Sequence, residues 1–95
     1  MNEKKIFEAA LSLWGSDIQR IVAIEELSEL QKELCKSFRF GVDRPHIAEE
    51  IADVQIMLEQ MMIIYECRDD VAIWRRKKVS RLRERLMRDG GQKNG

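Results

Sequence analysis

Helix breakers are scarce in this chain, and their positions dictate its architecture. Ahead of the C-terminal tail only Gly15, Gly41 and Pro45 interrupt the sequence; the other three of its five glycines are Gly90, Gly91 and Gly95. In a helix interior Pro costs about 3 kcal/mol and Gly about 1 kcal/mol relative to Ala. A chain this poor in both can run in long helices. The rest is rich in Leu, Glu, Lys, Arg, Met, Ile, Gln and Ala, all helix formers, and no segment alternates apolar and polar residues between turn signals. The expectation is an all-α chain of four helices, at about Glu3–Leu13, Asp17–Phe38, Pro45–Cys67 and Val71–Arg88. Ser16 or Asp17 is expected to cap the second and Asp43 the third, with Pro45 in its first turn. Arg68, Asp69 and Asp70 form the turn and cap before the fourth. Residues 1–89 read as one domain, and 90–95 as a polar tail expected to be disordered.

The apolar pattern raises a problem of burial. Ala23, Leu27, Leu30, Leu34 and Phe38 follow the 3–4 spacing of an amphipathic helix. The third helix is apolar around much of its circumference, through Ile47, Ile51, Val54, Met57, Leu58, Met61, Met62 and Ile64. A helix of that kind is covered on several sides, and a chain of 95 residues is too short to cover it alone. The reading is therefore an oligomeric bundle, a homodimer or homotetramer.

Charge is divided along the chain. Lys and Arg together equal Asp and Glu at 17 each, so the formal net charge is zero. Residues 1–70 nevertheless carry eight basic and fifteen acidic side chains, a balance of −7, and residues 71–95 carry nine and two, a balance of +7. The zero total gives no general attraction to nucleic acid or to an anionic membrane.

Within the acidic part, Glu26 and Glu29 are spaced i, i+3 on the second helix, and Glu50 and Asp53 on the third. Such spacing puts both members of a pair on one helix face. On a helical wheel Glu50 and Asp53 share an arc with His46, Val54, Met57, Met61 and Ile64, while Glu26 and Glu29 lie beside Ala23 and Leu30. Unpaired charge facing an apolar interior is strongly penalised. If the two helices pair antiparallel, the carboxylates converge, and a set of hard oxygen donors suits Mg²⁺, or Mn²⁺ in its place, rather than Zn²⁺. The alternative is a set of ion pairs with the basic fourth helix. Glu25, Glu49 and Glu33 read as solvated, and His46 as a hydrogen-bonded first-turn residue. On the fourth helix Val71, Trp74, Val79, Leu82 and Leu86 form the apolar side. Lys78 and Arg81, one turn apart near its edge, are placed to hold phosphates of an anion whose metal sits in the carboxylate group. No aromatic residues interleave the basic face, which argues against a nucleic-acid partner.

Ile24-Glu25-Glu26-Leu27-Ser28-Glu29-Leu30 and Ala48-Glu49-Glu50-Ile51-Ala52-Asp53-Val54 together resemble the two motif helices of the all-α nucleoside triphosphate pyrophosphohydrolases, the MazG-like and dimeric dUTPase superfamily, in its short single-domain form. The resemblance covers about residues 17–65, with Lys78-x-x-Arg81 a weaker match. It implies a bundle built from two or more chains and Mg²⁺ held by Glu26, Glu29, Glu50 and Asp53. The implied reaction is hydrolysis of an NTP or dNTP to NMP and pyrophosphate. Glu26 or Glu29 would take the proton from the attacking water, Lys78 and Arg81 would hold the pyrophosphate, and the base would lie near Phe7 or Trp14. The other reading is a helical oligomerisation or nucleotide-binding regulatory protein without turnover. A di-iron bundle is disfavoured, since such sites use Glu-x-x-His pairs.

Cys35 and Cys67 have neither CxxC spacing nor a flanking His, and read as small buried hydrophobes in a reducing, cytoplasmic setting. No basic start precedes an apolar run, so no signal peptide is expected. The longest uninterrupted apolar stretch, Met61 to Tyr65, is far short of the ~20 residues that span a bilayer.

Overall fold

The structure, a computed structural model, describes residues 1–93. Four helices occupy almost all of it: α1 (Glu3–Trp14), α2 (Ser16–Phe40), α3 (Arg44–Ile64) and α4 (Arg68–Lys93), with no strand among the described residues. The all-α, four-helix expectation holds. α1 is capped by Asn2, whose side chain accepts from the Lys5 N–H at 2.9 Å. It ends at Gly15, where φ is +88°, a region open to Gly at no steric cost. Gly15 also takes the N-cap position of α2, with no side-chain cap. The expected Ser16 or Asp17 cap is therefore not made, because α2 starts one residue after α1 stops and both already lie inside it. Asp43 caps α3 as expected, accepting from the His46 N–H at 3.2 Å, and Pro45 sits in the first turn.

The α3–α4 corner is tighter than the sequence suggests. α3 stops at Ile64, and Cys67 N–H reaches the Met62 carbonyl at 3.1 Å while Glu66 N–H reaches that of Ile63 at 3.3 Å. This is a Schellman closure, with Glu66 at φ +49° where glycine is the usual occupant. α4 begins directly at Arg68, so Asp69 and Asp70 lie in its first turn rather than before it. It also continues through Gly90 and Gly91 to Lys93, taking in the first part of the segment expected as a disordered tail; the rest of that segment lies outside the described residues.

α2 and α3 form an antiparallel hairpin across Gly41, Val42 and Asp43, and this is the main packing unit. α1 packs on both of its helices, and among the described residues α4 packs on α3 alone. The hairpin register is marked by polar pairs one heptad apart. Gln19 faces Gln60, with a hydrogen bond from Nε2 to Oε1 of 2.6 Å. Seven residues along, Glu26 faces Asp53. Seven further, Glu33 faces His46 at 3.1 Å. A seven-residue repeat keeps one face of each helix on its partner, and buried polar positions in such a seam specify register at some cost in stability.

The inner face of α2 is therefore not the stripe that hydrophobicity alone selects. Ala23 is buried and Leu30 half-buried, but Leu27, Leu34 and Phe38 are exposed, while Gln19 and Glu33 are buried. Among the described residues only Ala23, Val54 and Met57 are buried and apolar. The accessible area, 8075 Å², compares with about 5,700 Å² for a compact monomer of this mass. The radius of gyration, 17.5 Å, compares with about 12 Å. The exposed apolar residues include the outer α2 stripe of Ile21, Ile24, Leu27, Leu34 and Phe38 and the apolar side of α4, Phe38 being 92% exposed. Among the described residues no helix is long and apolar enough to cross a membrane.

The Gln19–Gln60 layer is testable by urea unfolding. Gln19→Ala is expected to cost about 1–3 kcal/mol by leaving buried Gln60 without its partner. Replacing both with Leu is expected to raise the midpoint, since two matched apolar groups carry no unsatisfied amide. An unchanged midpoint in Gln19→Ala would show that the layer contributes nothing to stability.

Candidate metal centre

The heptad register of the hairpin puts the second polar layer near the middle of both helices. There Glu26 from α2 and Glu50 and Asp53 from α3 each present a carboxylate oxygen, and these atoms lie within 4.8 Å of one another. Glu50 is buried; Glu26 and Asp53 are half-buried. The i, i+3 spacing of Glu50 and Asp53 aims both at α2. Three of the four carboxylates expected at this centre are thus brought together.

Glu29, the fourth, is exposed on α2 and lies outside the group of three. Seven-residue geometry explains this. The α2 positions facing α3 run through 19, 23, 26, 30, 33 and 37, and Glu29 falls to the side of that seam. The residue that continues the inward face from Glu26 is Glu33. It is buried, not solvated as the sequence suggests, and it receives Lys36 Nζ at 3.3 Å and His46 Nδ1 at 3.1 Å. His46 Nε2 in turn lies 3.3 Å from Glu50 Oε1. His46 lies in the first turn of α3, where its backbone N–H donates to Asp43 Oδ1, and its imidazole lies between two buried carboxylates. The signal for Glu33 was available in the spacing: it stands seven residues after Glu26, and His46 seven before Asp53. Glu25 and Glu49 are exposed, in keeping with their solvated reading.

Electrostatically the centre is under-compensated. The Glu26 carboxyl is pushed up from its ordinary value of 4.5, first by burial, then by the neighbouring charges of Asp53 and Glu50. Glu50 Oε2 is buried and has no hydrogen-bond partner. A buried carboxylate oxygen without a donor is costly, and an oxygen-binding cation at this point would satisfy it. The donor set, all carboxylate, fits Mg²⁺ or Mn²⁺ in chemistry.

The cations read as phosphate ligands are elsewhere within one chain. Lys78 and Arg81 are exposed on α4, a helix with no packing contact to α2. Lys78 Nζ lies 6.0 Å from the Trp74 ring centroid, and neither residue forms an ion pair among the described residues. Phe7, half-buried, lines a groove of about 640 Å³ between α1, α3 and α4, whereas Trp14 is exposed. Cys35 is exposed on the outer side of α2, which corrects its reading as a buried hydrophobe; Cys67 is partly covered.

No family model, curated protein or solved structure matches the chain.

The raised Glu26 pKa sets a sign for stability. An acid whose folded-state pKa exceeds its unfolded value holds its proton more tightly when folded. Its stabilising contribution is complete below the ordinary value and is lost as pH rises through the raised one. Metal-free protein is therefore expected to lose thermal stability as pH climbs from about 4.5, and Glu26→Gln to flatten that slope and melt higher than wild type at neutral pH in chelator. Melting curves across the carboxylate range check this; equal slopes for both proteins would remove Glu26 as the strained group.

Proposed function

We propose that the protein is a Mg²⁺-dependent nucleoside triphosphate pyrophosphohydrolase, converting an NTP or dNTP to NMP and pyrophosphate. One observation carries the reading: carboxylates of Glu26, Glu50 and Asp53 converge from facing helices, and one of them, Glu50, has a buried oxygen, Oε2, without a hydrogen-bond partner. The resemblance of the segments around Glu26 and Glu50 to the MazG-like motif helices supplies the reaction. When bound, Mg²⁺ supplies charge neutralisation for the triphosphate and a more acidic water. Glu26, Glu50 and Asp53 would hold the ion. Water adds at the α-phosphorus as the bond to the α–β bridging oxygen breaks. Glu26, whose neighbours favour its protonated form, or exposed Glu29 at the edge of the group accepts the proton. Lys78 and Arg81 are assigned the departing pyrophosphate.

A second copy of the chain is part of the same reading. The accessible area exceeds that of a compact monomer by about 2,400 Å², on the scale an obligate homodimer covers. A basic α4 beside an acidic body makes two copies complementary in charge. In solution the mass is expected at about twice 11.2 kDa or a higher multiple, and Leu34→Glu with Phe38→Glu is expected to lower it. Light scattering that gives a monomer for wild type would remove the assembly.

Catalysis is checked by incubating the protein with Mg²⁺ and each common NTP and dNTP, measuring pyrophosphate and orthophosphate separately. Pyrophosphate release is expected, with a loss of at least about 100-fold in Glu50→Gln and Asp53→Asn, since each removes a ligand charge. The placement of Glu29 and of Lys78 and Arg81 outside the group in one chain favours a second reading, nucleotide binding without turnover. Nucleotide binding with no pyrophosphate under Mg²⁺ or Mn²⁺ would establish that reading instead.

A further inference from the structure

The third polar layer of the hairpin has a feature that metal ligation by itself does not require. Glu50 uses its two oxygens differently. Oε1 lies 3.3 Å from His46 Nε2, one turn earlier on α3, while Oε2 is buried and unpartnered. His46 is in turn fixed at its other end. Its Nδ1 lies 3.1 Å from Oε2 of Glu33, whose side chain is only 7% exposed, and Glu33 Oε1 accepts from Lys36 Nζ at 3.3 Å. The His46 backbone is also held, its N–H donating to Asp43 Oδ1. A continuous chain of contacts therefore runs from Lys36 at the surface through Glu33 and His46 to one oxygen of Glu50.

We propose that His46, with a hydrogen on each ring nitrogen, is a positioning residue for the metal centre: anchored to Glu33 through Nδ1, it donates from Nε2 to Glu50 Oε1 and leaves Oε2 for the cation. This rests on the metal-centre reading above and deepens it. The physical reason is rotational. A Glu side chain has three rotatable bonds, and a carboxylate free to turn would pair its inner oxygen elsewhere or offer both oxygens to the ion. Tying one oxygen to an imidazole that is itself braced leaves one donor in one direction. Outer partners of this kind orient ligands, and their loss typically weakens metal binding by about 10–100-fold. The heptad register supports the assignment, because Glu33 facing His46 repeats the Glu26–Asp53 layer seven residues on. Neither Glu33 nor His46 needs to touch the ion.

The test uses Mn²⁺ alone as the probe, its binding to the full chain read by the loss of the free-ion paramagnetic resonance signal, with no nucleotide present. His46→Ala is expected to weaken Mn²⁺ binding about 10–100-fold. His46→Gln, whose amide nitrogen stands where Nε2 does, is expected to recover most of the affinity. His46→Asn, which mimics Nδ1 and reaches only Glu33, is expected not to. A role confined to fold stability would move the melting temperature of both amide variants without separating their affinities. If His46→Ala does not fold, the contrast between Gln and Asn decides the matter. Wild-type affinity in His46→Ala, or equal affinity in the Gln and Asn variants, overturns the positioning role while leaving the metal centre standing. No Mn²⁺ binding by wild type overturns both. In a Glu50→Gln background His46→Ala is expected to have no further effect, and a full additional loss there would also overturn the proposal.

Discussion

The antiparallel register of α2 against α3 governs the rest of the molecule. Three polar pairs at seven-residue intervals, Gln19 with Gln60, Glu26 with Asp53 and Glu33 with His46, allow one alignment of the two helices. Slipping the hairpin by one turn would leave buried amides and carboxylates facing Ala23, Val54 or Met57, at a cost of several unsatisfied groups. With only three buried apolar residues among those described, hydrophobic burial within one chain supplies little discrimination between alignments. Polar matching supplies it instead. The same register brings the carboxylates together, so the fold and the candidate centre have a common origin.

That arrangement has an electrostatic cost which points to a ligand. Glu26 is held toward its protonated form by burial and by Asp53 and Glu50, and Glu50 keeps a buried oxygen without a donor. The last layer is different in kind, because His46 and Lys36 compensate Glu33 there. Of the three layers, one is satisfied by amides and one by cationic or imidazole partners. In the middle one three carboxylates meet, with His46 beside one oxygen of Glu50 and none at the other, and that is the layer a divalent cation would complete. The divided charge of the chain fits the proposed reading: the carboxylate centre lies in the acidic body, and the proposed phosphate ligands Lys78 and Arg81 lie on the basic α4.

Much of the architecture was legible in the sequence, and the misreadings share a cause. The breaks at Gly15 and Gly41, the Asp43 cap and the helix count all depend on local rules of backbone conformation, which operate on a few neighbouring residues. The inner stripe of α2 did not follow from hydrophobicity. Leu27, Leu34 and Phe38 are apolar yet exposed, while Gln19 and Glu33 are polar yet buried. Apolar periodicity marks every face that is covered by something, including another chain, and does not say which cover belongs to the same molecule. The α4 start was misread for a related reason. Asp69 and Asp70 look like a cap, but the closure at Glu66 ends α3 early enough for both to enter the helix.

The sequence by itself determined that this chain is helical, where its helices break, and that carboxylates recur at helical spacing on two of them. Those properties follow from torsional preference and residue chemistry, which each residue carries wherever it sits. Tertiary structure decided which carboxylates meet. Glu26, Glu50 and Asp53 converge, Glu29 falls outside, and Glu33 moves from expected surface to interior beside His46. The reason is the seven-residue seam of the α2–α3 pair: inward positions alternate in steps of four and three, so after Glu26 they fall at Leu30 and Glu33, and Glu29 lies to the side.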